Sequence, residues 1–230
     1  MGLVTAIIPA AGSGSRIGSS SYKQFMELGG KPVIIHTLEK FQQSSEIDEM
    51  VVVFPPDKVR EFSGRIAAYG FHKPIRFVAG GERRQDSVHQ AFLSVNGRQT
   101  ELVVIHDAVR PLVEADLIQR VVERARLTGA AIAAIQAVDT IKEVSSKDVV
   151  VATLNRSTLR QVQTPQAFAY PILRKALQRA YADGYYGTDD SSLVERIGIQ
   201  VAVVPGSPLN IKITTPADVR FAELILRARG

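Results

Sequence analysis

The chain has 230 residues, a formal net charge of +5 and no cysteine, which excludes a long multidomain machine, a disulfide framework, a thiol nucleophile and a thiolate zinc site. The longest wholly apolar stretch, residues 130–135, falls far short of the ~18 residues of a membrane span, and a reducing, cytoplasmic compartment is expected. The cation excess favours anionic partners, but Lys and Arg cluster only weakly, at Arg83-Arg84 and Arg227/Arg229, and aromatic residues make up only 7%, so nucleic acid is not the expected partner.

In chain order, apolar β-rich runs alternate with segments of helical period. Residues 3–9 form the first run. Pro32 opens a helix with Ile34, Leu38 and Phe41 on one face, and residues 50–54 form the second strand. A helix carrying Val59, Phe62 and Ile66 follows, then a strand from residue 75 and a helix with Val88, Phe92 and Val95. Residues 102–105 and 130–137 read as further strands, separated by a helix carrying Leu117, Val121 and Ala125. This alternation predicts a Rossmann-like α/β domain, a mostly parallel sheet with helices on both faces, spanning residues 1–230. Uninterrupted apolarity in the strands indicates that both sheet faces are covered.

The rhythm breaks at residues 139–159. Two weak strand-like runs flank Ser145-Ser146-Lys147-Asp148, a turn-forming tetrapeptide, and together they predict a protruding hairpin arm. Helical period returns at Leu173, Leu177 and Ala180; strands are expected at 199–204 and 211–213, and Thr215-Pro216-Ala217-Asp218 caps a last helix.

Three polar loops follow predicted strands. The first, Pro9-Ala10-Ala11-Gly12-Ser13-Gly14-Ser15-Arg16, offers backbone N–H groups where no Cβ intrudes, with Lys23 close behind. A dinucleotide fingerprint would need glycine where Ile17 stands, and a Walker A loop is absent. The second, Gly80-Gly81-Glu82-Arg83-Arg84-Gln85-Asp86-Ser87, opens a helix; the third is His106-Asp107-Ala108-Val109-Arg110-Pro111. Ligands of open α/β sheets bind beyond the carboxyl ends of the strands, so the three loops are expected to face one site. Asp107 is the candidate Mg²⁺ ligand, because that ion needs only one or two carboxylates beside substrate phosphates. His106 is assigned to packing or orientation. Lys212, read as lying within a strand between Ile211 and Ile213, needs an anion or a cavity for its ammonium group.

Taken together, the first loop with Lys23-Gln24, the Gly80-Gly81 loop ending in Asp86-Ser87-Val88, His106 to Pro111, Asp139-Thr140, Thr164-Pro165-Gln166, Thr188-Asp189-Asp190 and Asn210-Ile211-Lys212-Ile213-Thr214 resemble the 2-C-methyl-D-erythritol 4-phosphate cytidylyltransferases of isoprenoid synthesis. That resemblance implies a nucleotide-diphospho-sugar transferase type of fold and a reaction that joins CTP to a sugar-alcohol phosphate with release of pyrophosphate. It implies that Ala10, Ala11, Gly12, Gly14, Gly81, Glu82 and Ser87 hold CTP, that Arg16 and Lys23 stabilise its phosphates, and that Asp107 holds Mg²⁺. Arg110, Thr140, Arg156, Thr164 and Lys212 would position the methylerythritol phosphate. It also implies a homodimer embraced by the hairpin, with Thr140, Arg156 and Thr164 serving the neighbouring subunit. Two positions depart from the family pattern: Asn155 stands where aspartate is common, and Ser191 where alanine is common. A ribitol 5-phosphate cytidylyltransferase is the nearest alternative, and a non-catalytic nucleotide sensor an alternative of another class.

Overall fold

The computed structural model describes residues 2–12 and 22–229. The chain begins with β1 (Leu3–Pro9), the two-residue strands β2 (Glu27–Leu28) and β3 (Lys31–Pro32), α1 (Val33–Gln43), β4 (Glu49–Phe54), α2 (Val59–Ala67), β5 (Ile75–Ala79) and α3 (Arg84–Ser94). It continues with β6 (Thr100–Ile105), α4 (Ala115–Thr128), β7 (Ala130–Gln136), β8 (Lys142–Val144), β9 (Val150–Thr153), β10 (Arg160–Ala169), α5 (Tyr170–Ala182), α6 (Asp190–Arg196), β11 (Ala202–Pro205) and α7 (Pro216–Arg229). Seven strands form one sheet in the order β11-β7-β10-β6-β1-β4-β5. β1 pairs parallel with β4 and β6, and β4 with β5, while β10 runs antiparallel between β6 and β7.

Side-chain alternation explains the layers. Val4, Ala6 and Ile8 of β1 and Met50, Val52 and Phe54 of β4 point into one core with α1, α2 and α4. Ile7, Val51 and Val53 point into the opposite core with α3, α5 and α6. Apart from Thr5 in β1 and Glu49 at the start of β4, these two strands are therefore apolar on both faces, as expected for a sheet covered on both sides. Full burial of a side chain such as Phe41 or Phe54 stabilises the fold by roughly 1.5–3 kcal/mol. In α7, Val219, Ala222 and Ile225 pack on Leu28, Val33 and Ile213. Its start is capped as the sequence indicates, with Asp218 N–H donating to Thr215 Oγ1 at 3.3 Å and Thr215 N–H donating to Asp218 Oδ2 at 2.7 Å.

Three features differ from the sequence reading. β10 is a ten-residue strand where no strand is predicted, because Arg160-Gln161-Val162-Gln163-Thr164-Pro165-Gln166 has no apolar run and contains proline. Its register against β7 shifts between Val162 and Gln166, the kind of irregularity that tolerates proline inside a sheet. α6 is a further unpredicted element, only seven residues long. Residues 199–201 and 211–213 are not strand: β11 begins at Ala202, and the second segment is held by Ile213 N–H donating to Val109 O at 2.8 Å. The hairpin at 139–159 is present as β8 and β9, a two-stranded sheet of its own. Among the described residues, no helix is long and apolar enough to cross a membrane.

Candidate active site

After β1, the chain passes outward through β4 to β5 and then returns to β6 on the other side of β1. The strand order therefore reverses between β1 and β6, and a crevice opens beyond their carboxyl ends. Ala10, Ala11 and Gly12 leave β1 there, Gly81 and Glu82 leave β5, and Asp107 leaves β6; all six line one cavity together with Lys23, Ser87 and Lys212.

Local chemistry fixes these loops. The buried Gln24 amide donates to Ala10 O at 2.6 Å, tying the first loop to the turn that carries Lys23. Thr37 Oγ1 donates to Ala108 O at 2.9 Å and anchors the third loop to α1. In the second loop, a Cβ on Gly81 would stand 2.4 Å from Asp86 Cβ. Only glycine lets the chain turn this tightly into α3, and Ser87 Oγ accepts from Gly81 N–H at 3.3 Å.

A second cavity adjoins the first and shares Arg84, Asp107 and Lys212 with it. Arg110, Gln163 and Thr164 line this second space, facing Thr188, Asp189 and Ser192. At the junction, Asp107 meets three cations: Oδ2 lies 3.0 Å from Lys212 Nζ and 3.3 Å from Arg110 Nε, and Oδ1 lies 3.5 Å from Arg84 Nε. Burial opposes the carboxylate charge, but Arg84, Lys212 and Arg110 together outweigh it and hold the group well below the usual carboxylate range. Asp107 is thus held as a carboxylate anion at neutral pH. Lys212 reaches it from an irregular segment rather than a strand, which resolves the cost of placing an ammonium between Ile211 and Ile213.

His106 holds this arrangement from below. Its Nε2 lies 3.2 Å from the Arg110 carbonyl, which can only accept, so Nε2 carries the proton. Nδ1 then accepts from Thr164 Oγ1 at 3.0 Å, while the same hydroxyl accepts from Asp107 N–H at 3.1 Å. Burial pushes the imidazole down to about 4, keeping it neutral. The orienting role expected of His106 is present, and the Thr164 hydroxyl is engaged in fixing the Asp107 loop. Asn210 completes the frame, donating from Nδ2 to Thr164 O at 2.8 Å and accepting at its main-chain carbonyl from Arg110 Nη1 at 2.7 Å.

Eleven of the sequence-derived site residues therefore meet at the two cavities: Ala10, Ala11, Gly12, Lys23, Gly81, Glu82, Ser87, Asp107 and Lys212 line the first, and Arg110 and Thr164 the second. Gly14 and Arg16 lie outside the described residues. Thr140 and Arg156 sit on the arm in neither cavity, both exposed, with Arg156 Nη1 donating to Val138 O at 2.7 Å. Asn155 caps the short turn that begins at Arg156, accepting from Ser157 N–H at 3.2 Å.

The comparison with protein families decides the kinship. Residues 4–228 match the family model of 2-C-methyl-D-erythritol 4-phosphate cytidylyltransferase (IspD). The chain belongs to that family. Curated proteins of this name include one from Syntrophus aciditrophicus, 48% identical over 97% of this chain and 96% of the relative. Another, from Acidobacterium capsulatum, is 45% identical over 99% and 98%. Among solved structures, the 4-diphosphocytidyl-2C-methyl-D-erythritol synthase of Anaerococcus prevotii superposes with a TM-score of 0.87 at 34% identity, covering 98% of this chain and 99% of that one. In this cytidylyltransferase, Arg84 is the site residue that the sequence reading passed over: it borders both cavities but reads in the sequence as half of a basic surface pair with Arg83. Its distinguishing signal was position, as the first residue of a helix opening directly from a glycine loop.

Proposed function

We propose that this chain transfers the cytidylyl group of CTP to 2-C-methyl-D-erythritol 4-phosphate, releasing pyrophosphate. The observation that carries the reading is the junction at Asp107, where Lys212, Arg110 and Arg84 converge between two adjoining cavities. The reaction drives a monoester of about −1.5 to −2 charge against the α-phosphorus of a more negative triphosphate. Fixed cations lower that repulsion, and a phosphoryl transfer needs little else beyond positioning.

The small-residue loop and Ala10–Gly12, with Gly81, Glu82 and Ser87, would cradle CTP, and Lys23 and Arg16 would neutralise its phosphates. Arg110 and Lys212 would hold the monoester, whose ionised oxygen attacks the α-phosphorus in line with the departing pyrophosphate. No general base is required, because the attacking phosphate is already ionised. The donor set fits a hard cation only with help: Asp107 is an assured anion, yet the described residues hold no cluster of three ligating side chains. Asp107 together with substrate phosphate oxygens would therefore hold Mg²⁺, which when bound would draw charge from those oxygens.

The arm supports a homodimer. Val144, Val149, Val150 and Val151 are each more than half exposed on it, an apolar surface of the kind that marks an association site. Thr140 and Arg156 would then complete the neighbouring subunit's second cavity. The absence of cysteine suits a cytoplasmic setting. Pyrophosphate release measured with CTP and each of two alcohols tests the reading. Turnover with methylerythritol phosphate well above that with ribitol 5-phosphate is expected; the reverse preference, or binding of CTP without turnover, would overturn it.

A further inference from the structure

The first turn of α3 grips one segment of chain three times in succession. Arg84 Nη1 lies 2.8 Å from Asp190 Oδ2. Gln85 donates from Nε2 to Tyr185 O at 3.0 Å and accepts at Oε1 from Gly187 N–H at 2.9 Å. Asp86 Oδ1 accepts from the Tyr181 hydroxyl at 2.6 Å. On one side, this turn follows the loop of Gly81 and Glu82 in the first cavity; on the other, the gripped segment supplies Thr188 and Asp189 to the second.

Within that clasp, Asp190 is the anomaly. Its side chain is 2% exposed, and burial raises its pKa despite the neighbouring guanidinium. Nothing in the reaction uses it: it borders neither cavity. A buried carboxylate whose cationic neighbour is one-third exposed is a costly way to add stability, since desolvation consumes much of the Coulombic gain. Its geometric effect is clear, however. Asp190 draws Nη1 of Arg84 to one side while Asp107 faces Nε at 3.5 Å, so the planar guanidinium is fixed at two edges. Asp190 itself is fixed through its neighbours: Asp189 caps α6 by accepting from Ser192 N–H at 3.0 Å and accepts from Gln166 Nε2 at 2.8 Å, which anchors α6 to β10.

We propose that Asp190 is a positioning residue for the transfer, holding the Arg84 guanidinium at the junction of the two cavities, where the two phosphate groups must meet. This rests on the cytidylyl-transfer reading, and the test separates the two: turnover by the unmodified enzyme tests the reading, whereas ratios between variants test the proposal. The experiment is a double-mutant cycle of Asp190→Asn and Arg84→Met, with steady-state kcat and both KM values measured beside thermal unfolding midpoints. Asp190→Asn keeps the shape and removes the charge, and is expected to lower kcat roughly 10- to 100-fold. In the Arg84→Met background the same change should alter kcat by less than about twofold, since the group it positions is gone. A purely structural role would instead give equal losses in both backgrounds, and that additivity would overturn the proposal. Should Asp190→Asn not fold, Arg84→Lys carries the test: it keeps one charge but not the planar two-edged contact, so a loss of the same order is expected, and unmodified kcat would refute the assignment.

Discussion

Lys212 Nζ stands 3.0 Å from Asp107 Oδ2, joining the segment before the last helix to the loop that leaves the middle of the sheet. The contact matters because the ammonium is 40% exposed while the carboxylate is nearly buried: the anion fixes one side of the cation and leaves the other open to a ligand. Lys212→Met should therefore raise KM for the sugar phosphate and reduce kcat roughly 10²- to 10³-fold, the usual loss for one preorganised electrostatic group. Steady-state pyrophosphate release measures both, and a kcat within a few-fold of the unmodified enzyme would remove Lys212 from the site.

Lys23 lies in the first cavity only, so its loss should act through the triphosphate. Lys23→Ala is expected to lower kcat by a similar factor of roughly 10² with KM for the sugar phosphate almost unchanged. An effect confined to that second KM would mean the two cavities have been assigned in the wrong order.

Gly81 tests the geometry of the nucleotide loop. Alanine there would bring its Cβ to 2.4 Å from Asp86 Cβ, displacing either the loop or the first turn of α3. Overpacking of this kind costs about 1–3 kcal/mol, and the displaced loop should weaken CTP binding. Urea unfolding and calorimetric titration with CTP check the two effects; unchanged stability with unchanged CTP affinity would contradict the close approach.

For the arm, Arg156→Ala should raise KM for the sugar phosphate and leave KM for CTP nearly unaltered, because Arg156 borders neither cavity of its own chain. Mixed dimers of Arg156→Ala and Lys212→Met chains should regain activity, since one of their two sites would carry both native residues. No recovery in verified mixed dimers would count against sites shared between subunits.

His36 gives a pH prediction away from the site. Burial lowers its pKa, and Nε2 donates to Leu28 O at 2.7 Å. In the unfolded chain the imidazole titrates near ~6.5, so below that pH the unfolded state binds more protons than the folded state does. The stability contribution is complete above that value and declines as pH falls, by at most about 1.4 kcal/mol per pH unit. His36→Gln, which keeps a donor but cannot titrate, should lose less stability between neutral and mildly acidic pH in urea unfolding; identical pH slopes would refute the assignment.

How much of this was legible in the sequence depends on what each residue answers to. β1, β4, β6 and β7 were visible because their two buried faces make them apolar over four or more residues, and the arm because its composition lacks that constraint. β10 was not: its central place comes from antiparallel pairing with β6 and β7, while its side chains serve the site and so are polar. Glycine loops and Asp107 were legible through local chemistry. Arg84 and Asp190 were not, because their 2.8 Å approach arises only when α3 and α6 are packed on the same face of the sheet.

The most direct test follows oxygen. Methylerythritol phosphate labelled with ¹⁸O in its terminal phosphate oxygens, turned over with CTP and observed by ³¹P NMR, reports which atom attacks. Isotope shifts on both phosphorus atoms of the diphosphate product, with unlabelled pyrophosphate, are the predicted result. Label in the pyrophosphate, or an α-phosphorus without a shift, would contradict direct attack of the monoester on CTP.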